Sequence, residues 1–218
     1  MTVLILDDRW PTLIPLEAHG RIENPVTFTG EVPIAVRWNF DSLISGDDVT
    51  GRGTLVTTDP GDPEVIARAE RGEPVIETES RQDPVRRSQE VMRRAVSLGE
   101  WEAGQTHESL LPYLKEEAIE FAEAVRSGAD DEELRRELGD VYLQVLFHAE
   151  IASRRGAFTF SDVAESFVEK LRSRAPYLFD GTTLPVGVDE QNRLWAEGKK
   201  AEKNAATGAV APDDDAAQ

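Results

Sequence analysis

Two acidic pairs in the second half of the chain have the same spacing. Glu117 and Glu120 are three residues apart, and Glu137 and Asp140 repeat the interval twenty residues later. On an α-helix this interval places both members of a pair on one flank. Carboxylates that converge repel one another unless a cation lies between them. Oxygen ligands without cysteine suit Mg²⁺ or Mn²⁺, and Mg²⁺ shares its coordination sphere with substrate phosphates. The spacing therefore predicts a metal site that binds a phosphorylated compound.

Each pair borders an apolar stripe, and the two stripes have the same helical spacing. The turn at residues 128–130 is short, so the two helices are expected to pack as an antiparallel hairpin. We expect both stripes to be buried in a common core, with the four acids at its edge. The stripe residues are Leu114, Ala118, Phe121 and Val125 on the first helix and Leu134, Leu138, Val141 and Val145 on the second.

The acids allow two other interpretations. Arg126, Arg135 and Arg136 are close enough along the chain to form solvated ion pairs with them, which are frequent at helical spacing. The spacing alone leaves this alternative open. A di-iron carboxylate bundle requires Glu-x-x-His. None of the three histidines follows a glutamate at that distance, which argues strongly against a di-iron site.

Helical periodicity dominates from about residue 83 onward. It predicts helices over residues 85–98, 106–127, 130–155, 159–175 and 191–203, with Gly128 and Gly156 as C-terminal stops. The first 84 residues instead contain four short apolar runs, at 2–6, 32–36, 54–57 and 74–76, and a helix that starts after Asp62. The predicted fold is mainly α, a helical bundle preceded by a small α/β region.

The predicted organisation has three parts. Residues 1–84 form the α/β region, whose role the sequence does not define. Residues 85–203 form the all-α catalytic domain, and residues 204–218 form a disordered acidic tail. The formal net charge of −18 disfavours binding to nucleic acid or to an anionic membrane surface. No apolar run has the length of a membrane span. Cysteine is absent, which excludes disulfides and thiolate metal sites. We expect a cytoplasmic protein.

Several segments together resemble the MazG-type nucleoside triphosphate pyrophosphohydrolases. Residues 116–120 (EEAIE) and 137–140 (ELGD) are similar to the family's EExxE…ExxD signature. The flanking sequences QTHESL at 105–110, ELGDVYLQVLFH at 137–148 and KLRSRAP at 170–176 resemble family segments in the same order. The resemblance covers residues 88–203, and the N-terminal region is similar to that of actinobacterial members.

The resemblance implies an all-α, obligately oligomeric enzyme. Such an enzyme uses Mg²⁺, with Mn²⁺ as an alternative, to cleave the α–β phosphoanhydride of nucleoside triphosphates and release a monophosphate and pyrophosphate. It supports a role in cleansing the nucleotide pool. The partners it implies are nucleoside triphosphates and further copies of the chain, in a homodimer or larger assembly. It also implies that the metal ligands are Glu117, Glu120, Glu137 and Asp140.

Further residues take roles through the same resemblance. Glu116, the remaining acid of the signature, would assist a ligand or orient water, unless it is only a surface residue. Lys170 and Arg174 would hold phosphate oxygens; alternatively, they offset a helix dipole. Trp195 would stack on the base, unless it is a core or interface side chain. His148 is expected to be a hydrogen-bonded core residue.

Some features depart from the family pattern. Residues 100–102 read EWE where many relatives have PWD, and only one catalytic signature is present. The N-terminal region is too short for the methyltransferase-like domain that some members carry. A housecleaning enzyme specialised for deoxynucleotides and a catalytically weak adaptor that uses a MazG-like scaffold both stay open.

Overall fold

The computed structural model describes residues 2–40 and 53–208. The described chain divides into two compact units, one up to Val91 and one from Met92. The division falls inside the helix Pro84–Leu98 rather than at the predicted boundary after residue 84. The functional assignment of the predicted domains stays a prediction.

The first unit is built on a parallel sheet of four short strands. They are β1 (Thr2–Ile5), β2 (Val26–Phe28), β3 (Thr54–Thr57) and β4 (Val75–Glu77), in the spatial order β2-β3-β1-β4. Thr2 lies opposite Thr54 and Val3 lies opposite Val75, so β1 pairs with both β3 and β4. Every residue of β1 and β3 is buried, as expected for central strands covered on both faces.

Alternate residues of β1 face two separate apolar clusters. Leu4 packs on one face in a cluster that contains Val56 and Phe40, whereas Val3 packs on the other with Leu55. Helices α1 (Ile34–Asn39) and α2 (Pro63–Glu70) belong to the same unit. The apolar run at 32–36 leads into α1 and does not form a strand. Strand β2 was not predicted from the sequence.

Polar side chains gather where the parallel strands end. Asp7, which is fully buried, accepts hydrogen bonds from Arg9 at 2.8 Å and Arg86 at 3.0 Å. Glu31 accepts hydrogen bonds from the Thr29 hydroxyl, the Thr57 hydroxyl and the Thr58 amide. Burial raises the pKa of Glu31, but these bonds outweigh it and lower the pKa to about 2. Glu31 is therefore ionised in the folded unit, and these hydrogen bonds stabilise its charge.

The second unit contains helices and no strand among its described residues, which confirms the mainly α prediction. The helices from 84 onward are α3 (Pro84–Leu98), α4 (Glu100–Ala103), α5 (Leu111–Ser127), α6 (Asp131–Arg154), α7 (Phe160–Arg174) and α8 (Val188–Gly208). Within this unit, Met92, Val96, Leu110, Leu146 and Phe147 form a buried apolar cluster.

Local sequence signals fix the ends of the α5–α6 hairpin and the start of α7. Gly128 ends α5 with φ of 71°, in the left-handed region that favours glycine. The Asp130 side chain accepts a hydrogen bond from the Glu133 amide at 2.9 Å and caps α6. Thr159 and Asp162 form a reciprocal capping box at the start of α7. These three ends agree with the sequence prediction.

Two other helix ends differ from the prediction. Helix α5 starts at Leu111 rather than near Thr106, because Thr106 and Ser109 exchange side-chain to backbone hydrogen bonds in a local turn. Helix α8 extends from Val188 to Gly208. Residues 204–208 are therefore helical rather than disordered, and residues 209–218 lie outside the described residues. None of the described helices combines the length and hydropathy needed to cross a membrane.

Candidate metal centre

The α5–α6 hairpin brings carboxylates from both helices into one group. Glu117, Glu120 and Glu137 each offer a carboxylate oxygen, and these oxygens lie within 4.8 Å of one another. Glu137 is buried, with 8% of its surface exposed, whereas Glu117 is half-buried and Glu120 is exposed. The group is therefore reachable from solvent on its α5 side and enclosed on its α6 side.

Asp140 and Glu116 lie near this group and act on Glu117. Burial raises the pKa of Glu117, and the negative charges of Asp140, Glu120, Glu116 and Glu137 raise it further. A carboxylate surrounded in this way resists ionisation unless a positive charge is supplied. Glu116 itself is exposed, on a surface depression that it lines together with Lys115 and Glu120.

The alternative in which arginines form ion pairs with the acids is observed at one of the four acids, Glu137. Arg136 donates a hydrogen bond to Glu137 at 3.0 Å and lies 3.8 Å from Glu133. The Arg136 side chain is 67% exposed, so solvent weakens this ion pair. Among the described residues, no ion pair to arginine or lysine engages Glu117, Glu120 or Asp140.

The predicted burial of the two apolar stripes is wrong for the described chain. Val125 is 54% exposed and Leu138 is 51% exposed, and none of the eight stripe residues is fully buried. The residues of α6 that are buried lie partly on the acidic flank, among them Glu137 and Gln144. The described chain therefore leaves part of both stripes uncovered.

The donor set fits a hard divalent cation. The group contains three carboxylates and neither histidine nor cysteine, which is the ligand chemistry of Mg²⁺ or Mn²⁺. The raised pKa of Glu117 agrees with a site whose charge a cation would balance. Glu117, Glu120 and Glu137 could hold such an ion directly, and Asp140 is close enough to act on the same group.

Two polar side chains, Gln144 and His148, continue the acidic flank of α6, and neither was predicted to belong to a site. Gln144 is 4% exposed and its Oε1 has no hydrogen-bond partner among the described residues. It follows Asp140 by four residues, so the helical wheel places it beside the acids. That wheel position was a signal available from the sequence.

His148 is only partly the hydrogen-bonded core residue that was expected. Its Nδ1 lies 2.8 Å from Nδ1 of His107, and Arg155 donates to Nε2 of His107 at 3.0 Å. Because arginine only donates, His107 must donate through Nδ1, and neutral His148 then carries its proton on Nε2. That Nε2 is buried and has no partner among the described residues. Burial and the neighbouring His107 lower the pKa of His148, which favours the neutral form.

Helices α7 and α8 bring together the predicted phosphate and base ligands. The Arg174 guanidinium lies over the Trp195 ring, 5.1 Å from its centroid. Glu202, which the sequence analysis did not identify, accepts hydrogen bonds from Arg174 at 2.5 Å and 3.0 Å. Lys170 is exposed one turn before Arg174. Among the described residues, no hydrogen bond or ion pair connects Lys170, Arg174 or Trp195 to the four acids of the hairpin.

Comparison with protein-family models gives two matches in the expected order. Residues 1–76 match the MazG N-terminal domain, and residues 105–179 match the MazG nucleotide pyrophosphohydrolase domain. The second match contains all the acids of the hairpin as well as Lys170 and Arg174.

Curated relatives agree with these matches over nearly the whole chain. A protein of Mycobacterium tuberculosis named nucleoside triphosphate pyrophosphohydrolase is 39% identical over 93% of this chain and 63% of its own length. Its namesake in Mycolicibacterium smegmatis is 39% identical over 98% of this chain and 66% of its own length. The chain thus spans about two thirds of the length of these relatives.

Among solved structures, a mazG-related protein from Thermotoga maritima is similar to this chain, with 32% sequence identity and a TM-score of 0.47. The match covers 52% of this chain and 97% of that one. With both domain models matched in order and two mycobacterial relatives 39% identical over most of the chain, the chain belongs to the MazG family.

Proposed function

We propose that this chain is a Mg²⁺-dependent nucleoside triphosphate pyrophosphohydrolase that converts nucleoside or deoxynucleoside triphosphates to monophosphates and pyrophosphate. The observation that carries the proposal is the convergence of carboxylate oxygens from Glu117, Glu120 and Glu137 within 4.8 Å. The names of the mycobacterial relatives support the same reaction. Removal of unwanted nucleotides from the cellular pool is the role that fits this activity.

In this proposal Glu117, Glu120, Glu137 and Asp140 hold the metal. When bound, Mg²⁺ supplies charge neutralisation for the triphosphate and activation of water. The four acids determine the position of the Mg²⁺ charge, because α5 and α6 hold their carboxylates in place. Glu116 is exposed beside Glu120 and is proposed to orient a water or a ligand from the open side. Water adds across the α–β phosphoanhydride, and pyrophosphate leaves.

Lys170 and Arg174 are proposed to donate hydrogen bonds to phosphate oxygens, with Trp195 against the base. Charge-assisted bonds of this kind are the strong ones in phosphate recognition. Since no hydrogen bond or ion pair in the described chain joins these residues to the hairpin acids, a second copy of the chain is the proposed source of one half of each site. Exposed apolar side chains on the hairpin, including Ile119, Val125 and Leu138, support a homodimer or larger assembly.

The charge of the protein makes an order of binding part of the proposal. A chain with a net charge of −18 repels a free triphosphate. The cation must therefore bind first or arrive with the nucleotide. A calorimetric titration with a non-hydrolysable nucleotide should give binding with Mg²⁺ and none in EDTA. Equal affinity in the two conditions would contradict the metal-bridged site.

The activity test is a turnover assay over a panel of nucleoside and deoxynucleoside triphosphates with Mg²⁺, in which monophosphate and pyrophosphate are both quantified. Asp140→Asn should reduce turnover by a factor of about 100 or more, given that oriented charge contributes several kcal/mol to such reactions. The matched control is Glu132→Gln on the same helix, which removes an exposed carboxylate outside the group. Absence of pyrophosphate release from the unmodified protein would favour the adaptor interpretation.

The domain assignment is tested separately. We propose that residues 85–203 contain the complete catalytic machinery, because every signature segment lies there. A fragment from residue 83 to residue 208, which retains the whole of α8, should hydrolyse the same nucleotides as the full chain. A well-folded but inactive fragment would show that the N-terminal region contributes to the site.

A further inference from the structure

The carboxylate of Glu202 on α8 contacts Arg174 on α7, one of the proposed phosphate ligands. Glu202 accepts hydrogen bonds from Arg174 Nε at 3.0 Å and from Arg174 Nη2 at 2.5 Å. The pair is bidentate, and the Arg174 side chain is only 16% exposed. Such a fork of two parallel bonds fixes the plane of a guanidinium as well as its position.

Two residues contact the guanidinium from different sides. Glu202 accepts from the edge formed by Nε and Nη2, and the guanidinium carbon lies over the Trp195 ring, 5.1 Å from its centroid. Nη1 donates no hydrogen bond to any described residue. An arginine has five N–H donors in a fixed fork, so the outer edge of Nη1 and Nη2 remains available. That edge has the geometry to bind an anion through two hydrogen bonds.

Helix α8 packs closely against the end of α7 at Gly198. Trp195, Gly198 and Glu202 lie at intervals of three and four residues, so they share one face of α8. A Cβ at Gly198 would lie 2.6 Å from the Ser173 carbonyl oxygen and 2.9 Å from Arg174 Cα. Only glycine allows α8 to approach the last turn of α7 this closely. The approach places Glu202 and Trp195 against the same arginine.

The local charge still favours an anion. Lys170 and Arg174 supply two positive charges against the one carboxylate of Glu202. The hydrogen bond from Arg174 lowers the pKa of Glu202, and the charge of Lys170 lowers it further. The same hydrogen bond raises the pKa of Arg174. The cluster therefore keeps a net positive charge at neutral pH with the arginine held in place.

We propose that Glu202 is a positioning residue for substrate binding: it holds Arg174 on Trp195 so that the free Nη1 edge faces the triphosphate. The proposal rests on the proposed function, because it takes the triphosphate as the ligand of Arg174. It assigns Glu202 no contact with the substrate. Its effect on the reaction passes entirely through the orientation of Arg174.

The test combines kinetics with a binding measurement on the full chain. Glu202→Gln keeps the shape of the side chain but weakens the charged pair. It should raise KM by a factor of about 3 to 10 with kcat changed less than threefold, since only part of a charge-assisted hydrogen bond is lost. Inorganic triphosphate with Mg²⁺, titrated by calorimetry, should show a matching loss of affinity. Glu202→Asp should restore part of the loss.

A double-mutant cycle identifies the route of the effect. If Glu202 acts through Arg174, then Arg174→Ala and Arg174→Ala/Glu202→Gln should have the same KM within a factor of about two. The matched control is Glu197→Gln, which removes another carboxylate of α8 that pairs with an arginine, Arg193 at 2.6 Å. It should leave KM and the affinity for inorganic triphosphate unchanged.

Three outcomes would overturn the proposal. An unchanged KM in Glu202→Gln, with only a lower melting temperature, would show that the Glu202–Arg174 ion pair contributes to stability alone. A lower KM would show that Glu202 competes with the phosphate instead of positioning its ligand. Additive effects in the double variant would show that Glu202 acts independently of Arg174. If the unmodified chain hydrolyses no nucleotide, the proposed function fails, whereas the affinity for inorganic triphosphate still tests Glu202.

Discussion

Replacing Glu120 by glutamine should have opposite effects on stability and on activity. It should relieve repulsion between carboxylates in the metal-free protein and remove a metal ligand from the active protein. The substitution is isosteric, and Glu120 is exposed, so packing changes little. Its carboxylate lies within 4.8 Å of those of Glu117 and Glu137. At that distance each pair of like charges costs about 0.9 kcal/mol in a water-like dielectric and about 3.5 kcal/mol at an effective dielectric of 20. Because Glu120 faces solvent, the lower value applies, and two pairs together give about 1–2 kcal/mol.

The metal-free variant should therefore be more stable than the unmodified chain by about 1–2 kcal/mol, less at high salt. Mg²⁺ should largely cancel this difference. A cation present at 100 times its dissociation constant stabilises the folded state by about 2.7 kcal/mol, and a tenfold loss of affinity cuts this to about 1.4 kcal/mol. Nucleotide turnover in the variant should fall by a factor of about 100 or more, because a ligand has been lost.

Urea unfolding in EDTA and in Mg²⁺, followed by circular dichroism, measures both effects. Glu132→Gln serves as the matched control, because it removes one negative charge from the same hairpin outside the group. The reasoning is refuted if Glu120→Gln is less stable than the unmodified chain in EDTA and gains as much stability from Mg²⁺. Stabilisation by Glu132→Gln to the same extent would attribute the effect to net charge.

Three further substitutions test other parts of the structure by urea unfolding. Gly128→Ala should lower the free energy of unfolding by about 1 kcal/mol, because φ of 71° favours glycine although nothing lies near an added Cβ. Its control is Gly139→Ala inside α6, which has equal space and should not lower the free energy of unfolding. Glu31→Gln should destabilise by about 1 kcal/mol at pH 7. Since the pKa of Glu31 is lowered from 4.5 to about 2, its contribution is complete above pH 4.5, and the difference should vanish as the pH falls toward 2. Gln144→Leu should raise the free energy of unfolding by about 1 kcal/mol, because it removes a buried amide oxygen that has no partner among the described residues. A loss of stability would indicate that this oxygen accepts a hydrogen bond.

Local signals in the sequence were sufficient for much of the hairpin. Gly128 and Asp130 mark their helix ends through backbone conformation and capping, which depend on few neighbouring residues. The convergence of Glu117, Glu120 and Glu137 followed from helical spacing combined with a short turn. These are properties of one hairpin, so sequence periodicity could predict them.

Features that depend on distant parts of the chain were missed. The helical wheel shows that Val125 and Leu138 point the same way as their neighbours, but it cannot show what covers them. Both are exposed in the described chain. Glu202 is 28 residues from Arg174, and no periodic pattern links positions so far apart. Its role follows only from the close packing of α8 on α7 at Gly198.

The turn at residues 128–130 has a consequence for how this protein can change during evolution or engineering. Each residue added to or removed from a helix rotates everything after it by about 100° and shifts it by about 1.5 Å. A one-residue insertion after Gly128 that α6 absorbed would therefore swing Glu137 and Asp140 away from Glu117 and Glu120, with every acid still present in the sequence. The length of this segment is thus as much a part of the site as its side chains. Sequences that keep all four acids but differ in that length should be treated as having lost the metal centre.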